Sequence, residues 1–178
     1  KDLYSKYKFM GVCFENKNPL KDGINQWGLM GVANTFTAFN IHGKSLQDGK
    51  VNLSSLDYLN YALANYSSVD QLIEDLPNIH LSKKNSLGES ILSPDFHFMF
   101  SDGSKRAVVI EPKEVSLVYY DKPYAVMTNS PSFPSHVKRL EKFMDIGDLE
   151  GFNGAKNLPG SYDPVSRFIK AFYLLNKN

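Results

Sequence analysis

The sequence predicts an α+β fold: an antiparallel sheet with helices packed against it. Two observations carry this. Between residues 79 and 128 the hydropathy period is two, and short alternating runs are separated by turn signals. On either side, residues 54–76, 135–144 and 163–175 place apolar side chains at three- and four-residue steps instead. Strands grouped together and flanked by helices indicate α+β, whereas strict alternation would indicate a parallel α/β sheet. The 178 residues suffice for one substantial core, and no repeat or low-complexity tract divides them.

The elements follow in order. Residues 7–14 (YKFMGVCF) read as a first strand, and residues 15–22 (ENKNPLKD) as a polar turn. Residues 23–39 alternate loosely and supply its hairpin partner, with Gly28 and Gly31 admitting close approach of a backbone or a ligand. Residues 42–52 form a polar loop. Leu56, Leu59, Leu63 and Tyr66 then mark an amphipathic helix. A capping box at Ser68-Val69-Asp70-Gln71 opens a second, which Pro77 closes. Residues 79–81, 96–100, 107–111, 115–120 and 124–128 make an antiparallel meander, with turn signals at Asp102-Gly103 and Asp121-Lys122-Pro123. Residues 83–93 are a polar loop. A helix from Ser135 carries Val137, Leu140, Phe143 and Met144. Asp163-Pro164 supplies an N-cap and a first-turn proline for the last helix, whose apolar face is Val165, Phe168, Ile169, Phe172 and Leu175.

Composition excludes several classes of function. A net charge of +1 gives no polyanion-binding surface, so nucleic acid is not an expected partner. No apolar run reaches the roughly 18 residues of a membrane span. One cysteine rules out an internal disulfide framework and fits a reducing, cytoplasmic compartment. The histidines, His42, His80, His97 and His136, form no i, i+4 pair and join no carboxylate cluster at zinc-ligand spacing. His136 reads as a surface residue at a helix start. No nucleophile elbow, phosphate-cradling loop or dinucleotide fingerprint is present.

Residues 124–142 (YAVMTNSPSFPSHVKRLEK) organise the chain. A strand breaks at Ser130-Pro131, because proline pushes the preceding residue out of the helical region. Asn129 therefore sits where a strand ends and a loop turns. It either caps the turn, or offers an uncharged amide to a developing oxyanion. Arg167 falls in the first turn of the last helix, where a cation opposes the helix dipole and calls for a compensating partner such as Asp163. Cys13, between Val12 and Phe14, reads as a buried strand residue, since no neighbour in sequence would depress its pKa.

Three segments together carry a resemblance: DGINQWGLMGVANTF (22–36), TNSPSFPSHVKRL (128–140) and NLPGSYDPVSRFIKAFYL (157–174). In this order they resemble the choloylglycine hydrolase family, the bile salt hydrolases and penicillin V acylases, which are N-terminal-nucleophile amidases. The resemblance implies an αββα sandwich, incomplete here, with residues 1–178 an internal portion of a larger domain. It also implies hydrolysis of a linear amide C–N bond in a small molecule. An N-terminal cysteine thiolate attacks, its α-amino group serves as base, and no metal or organic cofactor takes part. The family's nucleophile lies upstream of everything matched, as do the Arg and Asp that follow it.

Carried over residue by residue, the resemblance makes Asn129 an oxyanion donor. Arg167, in its Ser166-Arg167-Phe168 context, becomes part of the active-site charge network. A second oxyanion position falls on Asn34 or Thr35, and the register leaves both open; bile salt hydrolases carry Asn there and penicillin V acylases Tyr. Trp27, Met30, Phe36 and Phe39 are candidates to shape a substrate pocket. Three readings follow: a hydrolase of which this is a portion, a non-catalytic small-molecule binder, or a structural domain sharing the fold. The first is preferred. A sheet lacking its first strands exposes an unpaired edge, so association with the preceding segment or a homo-oligomer is expected.

Overall fold

The computed structural model describes residues 5–13, 19–37, 43, 45–85, 87, 89–113, 116–121, 124–144 and 158–176. Its centre is a six-stranded, wholly antiparallel sheet in the order β1-β2-β3-β6-β7-β8. The strands are β1 (Phe9–Cys13), β2 (Leu20–Asn25), β3 (Met30–Thr35), β6 (Phe96–Ser101), β7 (Ala107–Lys113) and β8 (Ser116–Asp121). Between β3 and β6 the chain inserts β4 (Val51–Leu53), α1 (Ser55–Asn65), α2 (Val69–Asp75), a short 3-10 turn and β5 (Ile79–Leu81). Two helices follow β8: α3 (Phe133–Met144) and α4 (Pro164–Asn176).

Alternation along the strands gives the sheet two faces with different cover. Phe98, Phe100, Val108 and Ile110 point to one face and form a core with Tyr58, Leu59 and Leu63 of α1. The α1 helix lies close on β2 and β3 because Gly31 leaves room: a Cβ there would stand 2.6 Å from Leu59 Cδ1 and from Phe100 Cε1. On the other face Val109, Met99 and Tyr120 pack with Phe133 and Leu140 of α3 and with Phe168, Ile169 and Phe172 of α4. That cover reaches β6, β7 and β8. Over β1, β2 and β3 the same face is open, leaving Met10 (72%), Val12 (58%) and Met30 (46%) exposed.

Caps fix the helix ends. The Ser54 and Ser68 side chains accept from the amides of Asp57 and Gln71, starting α1 and α2. The reciprocal half of the capping box closes one residue early, because Gln71 Oε1 accepts from the Ser67 amide at 2.9 Å. Asn25 holds the other end of α1: its Nδ2 donates to the Leu63 and Tyr66 carbonyls, while its Oδ1 accepts from the Trp27 and Leu29 amides. One buried amide thus ties the helix to the β2–β3 turn.

Several expectations from sequence need correction. Residues 23–39 are not one strand; they hold the end of β2, a turn at Gln26-Trp27 and β3, while Leu20 to Asp22 belong to β2 and not to a loop. Gly28 turns the chain at φ +82°, with nothing within 4 Å of a Cβ, so it is no point of close approach. Residues 51–53 form β4, which pairs parallel with β5; residues 79–81 therefore sit in a separate two-stranded sheet outside the meander. Residues 124–128 are not a strand, since Tyr124 and Ala125 both adopt φ +52° and leave the sheet. The α3 helix begins two residues before Ser135. Leu175 is exposed, beyond the reach of the core. Cys13 is exposed rather than buried, where the register shifts at the end of β1. Among the described residues no helix is long and apolar enough to cross a membrane.

Candidate functional site

The register of β3 against β6 positions the first side chains. Asn34 lies opposite His97 and Thr35 opposite Phe96. Alternation sends the Asn34 side chain to the face shared with His97, and that of Thr35 to the opposite face. The irregular segment after β8 then crosses the end of β3. Asn34 Nδ2 lies 3.4 Å from the Thr128 carbonyl, and Asn129 Nδ2 donates to the Thr35 carbonyl at 3.1 Å. Ser130 Oγ continues the series by donating to the Thr37 carbonyl at 2.9 Å. The Ser130-Pro131 peptide is cis.

Arg167 arrives from the first turn of α4. Its Nε donates to the Tyr162 carbonyl at 3.0 Å and its Nη2 to Asn129 Oδ1 at 2.8 Å. The expected pairing with Asp163 is not made, because that carboxylate caps the helix: it accepts from the Ser166 amide at 3.0 Å and the Ser166 hydroxyl at 2.6 Å. Hydrogen bonds from the Ser161 and Ser166 hydroxyls hold the Asp163 carboxyl well below the usual carboxylate range. With Oδ1 committed to a cation, the Asn129 amide can turn only its NH2 outward, and of that group's two N–H bonds one reaches Thr35. The arrangement is an uncharged, oriented donor beside a guanidinium.

Beneath these groups lies a buried polar layer that sequence reasoning missed. His97 is 1% exposed, stacks on Phe36 with ring centroids 4.5 Å apart, and directs Nε2 at the Thr128 carbonyl at 2.6 Å. Its Nδ1 faces Glu111 Oε1 at 3.4 Å, and the same oxygen accepts from the Phe133 amide at 2.7 Å, capping α3. His136 is buried as well, stacked on Phe168, rather than lying on the surface. Its Nε2 reaches the Asn129 carbonyl at 2.8 Å. Burial lowers the His136 pKa below its ordinary value. The sequence carried one signal of this layer: His97 and Glu111 break otherwise apolar strands at positions facing the interior.

Asn34, Thr35, Asn129 and Arg167 thus meet in one place, although they are up to 133 residues apart in the chain (167 − 34). The pocket candidates do not join them. Trp27 is exposed in the turn at the far end of β3, against Tyr7; Met30 lies on the open face; Phe36 is buried under His97. Phe39 and His42 lie outside the described residues. Among the described residues, no group of three or more His, Cys, Asp or Glu side chains could hold a metal ion.

A model of the linear amide C–N hydrolases, choloylglycine hydrolase family, matches residues 1–178. The chain is 31% identical to a bile salt hydrolase/transferase of Clostridium perfringens, over 98% of this chain and 58% of the relative. It is 31% identical to a penicillin V acylase of Pectobacterium atrosepticum, over 88% of this chain and 41% of the relative. The crystal structure of a mutant conjugated bile acid hydrolase from C. perfringens superposes with a TM-score of 0.82 at 30% identity, over 97% of this chain and 57% of that one. The chain therefore spans a little over half the length of the C. perfringens relatives it matches.

Proposed function

Because the chain belongs to the choloylglycine hydrolase family, we propose that the protein hydrolyses a linear amide C–N bond in a small molecule, with Asn129 as an oxyanion donor. The observation that carries this is the Arg167–Asn129–Thr35 hydrogen-bond series. An amide whose carbonyl oxygen is held by a guanidinium presents its N–H bonds in a fixed direction. Such a preorganised donor favours a tetrahedral oxyanion without reorganising as charge develops. The guanidinium adds long-range positive potential at the same point.

Asn34 supplies the second polar side chain. It shares the face of Thr128 and His97, whereas the Thr35 side chain points the other way and only its carbonyl meets Asn129. An Asn at this position agrees with the bile salt hydrolase subgroup, so conjugated bile salts are the substrates to test first. The nucleophile of the family lies outside the segments of resemblance. In this reading the present residues receive the oxyanion and orient the acyl group, and the open face at Met10, Ile24 and Met30 takes the second sheet of an αββα sandwich.

The deciding assay incubates the natural-length protein with glycine- and taurine-conjugated bile salts and with penicillin V, and measures the liberated amine. Release of amine that is lost in Asn129→Ala is the expected result. A folded natural protein that liberates no amine from any of them would overturn the proposal.

A further inference from the structure

The buried layer under Asn129 contains two histidines to which no role has been attached, and they hold two successive carbonyls of one short segment. His97 Nε2 is 2.6 Å from the Thr128 carbonyl, and His136 Nε2 is 2.8 Å from the Asn129 carbonyl. We propose that His97 and His136 are positioning residues for Asn129, clamping the peptide that carries it from below through two Nε2–H donors.

The tautomers follow from the partners. A carbonyl oxygen can only accept, so His97 must carry a proton on Nε2. The same holds for His136, with a second constraint beside it. The Thr128 hydroxyl donates to the Pro164 carbonyl at 3.0 Å, so toward His136 Nε2, 3.4 Å away, it can only accept. A neutral His136 therefore carries its proton on Nε2, and its Nδ1 is buried with no hydrogen-bond partner among the described residues. Protonating that nitrogen would bury an unpaired N–H, in keeping with the direction in which burial moves this ring.

Both rings are themselves held. Phe36 and Phe168 stack on them at interplanar angles of 12° and 13°. Glu111 serves both at once: Oε1 faces His97 Nδ1 and caps the helix from which His136 projects. The Thr128 hydroxyl extends the clamp to Pro164, the first residue of α4, three positions before Arg167. The backbone of Asn129 is thus fixed from below by strands and α3, while its side chain is fixed from above by α4. A donor that must meet an oxyanion at hydrogen-bond distance needs both constraints, because a displacement near 1 Å can cost on the order of a hundredfold in rate.

The functional half of this inference rests on the reading of Asn129 as an oxyanion donor; the positional half does not. Long-range 1H–15N correlation spectra of the natural-length protein report imidazole tautomers directly. Nε2–H at both rings is expected, and either ring found only as Nδ1–H overturns the clamp. The Asn129 side-chain amide signals, assigned by their loss in Asn129→Ala, are then followed in His97→Phe and His97→Gln. The phenylalanine variant is expected to shift them and speed their exchange with water. Glutamine, whose NH2 reaches the same carbonyl, is expected to restore them. Unmoved signals in a folded His97→Phe protein overturn the proposal, and if that variant does not fold, the tautomer spectrum decides. On a conjugated bile salt, His97→Phe is expected to lower kcat roughly tenfold or more with KM nearly unchanged, and glutamine to recover it. A loss confined to KM overturns the functional half. No turnover by the natural protein overturns the reading of the site while the spectra still decide the positioning.

Discussion

Arg167 Nη2 donates to Asn129 Oδ1 at 2.8 Å, joining the first turn of α4 to the irregular segment 38 residues earlier. The bond explains why a cation stands at the unfavourable end of a helix dipole. Its cost there is offset by an acceptor that needs a fixed orientation, and the local carboxylate, Asp163, is occupied as the cap.

The first prediction concerns this pair. Removing the Asn129 donor in Asn129→Ala is expected to reduce kcat on a conjugated bile salt by about a hundred- to a thousandfold, the usual effect of losing one oxyanion donor. Arg167→Lys replaces a planar fork that bonds the Tyr162 carbonyl and Asn129 Oδ1 from two separate nitrogens with a single mobile ammonium, so it is expected to lose activity as well. A double-mutant cycle should give a coupling of about 0.5–3 kcal/mol between the two positions. Independent effects on kcat/KM would contradict the geometry.

A second prediction follows from His136. Burial depresses its pKa from the ordinary 6.5, so the unfolded chain binds the proton more readily than the folded one. Folding stability is then fully present above pH 6.5 and falls as the pH drops through and below that value. His136→Gln removes this contribution. Urea unfolding at pH 7.5 and pH 5.5 should show a smaller acid loss in the variant than in the parent. Equal losses would mean that the ring is not held neutral.

Asp163 acts in the same direction at lower pH. Hydrogen bonds from Ser161 and Ser166 depress its pKa below the ordinary 3.8, so the stability it contributes is present above that value and is lost as the pH falls toward the lower folded pKa. Asp163→Asn should remove that part of the acid limb of a melting curve. An unchanged limb would show that the cap is not formed in solution.

Two glycines should respond to alanine for different reasons. In Gly31→Ala the new methyl group meets Leu59 and Phe100 in the closely packed α1 interface, and overpacking of this kind typically costs about 1–3 kcal/mol. Gly28→Ala meets no atom, but φ is +82°, so the cost is strain alone, about 1–2 kcal/mol. Adding a shortening change, Leu59→Val, should relieve the first variant and not the second. Chemical denaturation of the parent and the four variants measures both, and a Gly31→Ala protein as stable as the parent would contradict the close packing at this position.

Much of the chain was legible locally. Helix α1, the start of α4 and strands β6 and β7 follow from side-chain period and capping residues, because those signals act within a few residues. The segment at 124–128 looked equally clear and was misread. Its alternation is real, but Tyr124 and Ala125 take positive φ, and among the described residues the sheet ends at β8. The β4 segment was missed because a three-residue parallel pair has no hairpin or period long enough to announce it.

The candidate site divides along the same line. The sequence by itself determined the candidates, since Asn129 and Arg167 stand in motifs whose neighbours in the chain single them out, while the early segment offers Asn34 or Thr35. Tertiary structure alone decided their partners. Asp163 was the nearest carboxylate to Arg167 in sequence, yet the helix cap took it and left the guanidinium to Asn129. His136 read as a surface residue and is buried, because α4 lays Phe168 against its ring. His97 and Glu111 are 14 residues apart on adjacent strands, and only the pairing of β6 with β7 brings them together. Motifs record local chemistry within a short stretch of chain; the direction in which a hydrogen bond is spent depends on which distant groups packing has left unsatisfied.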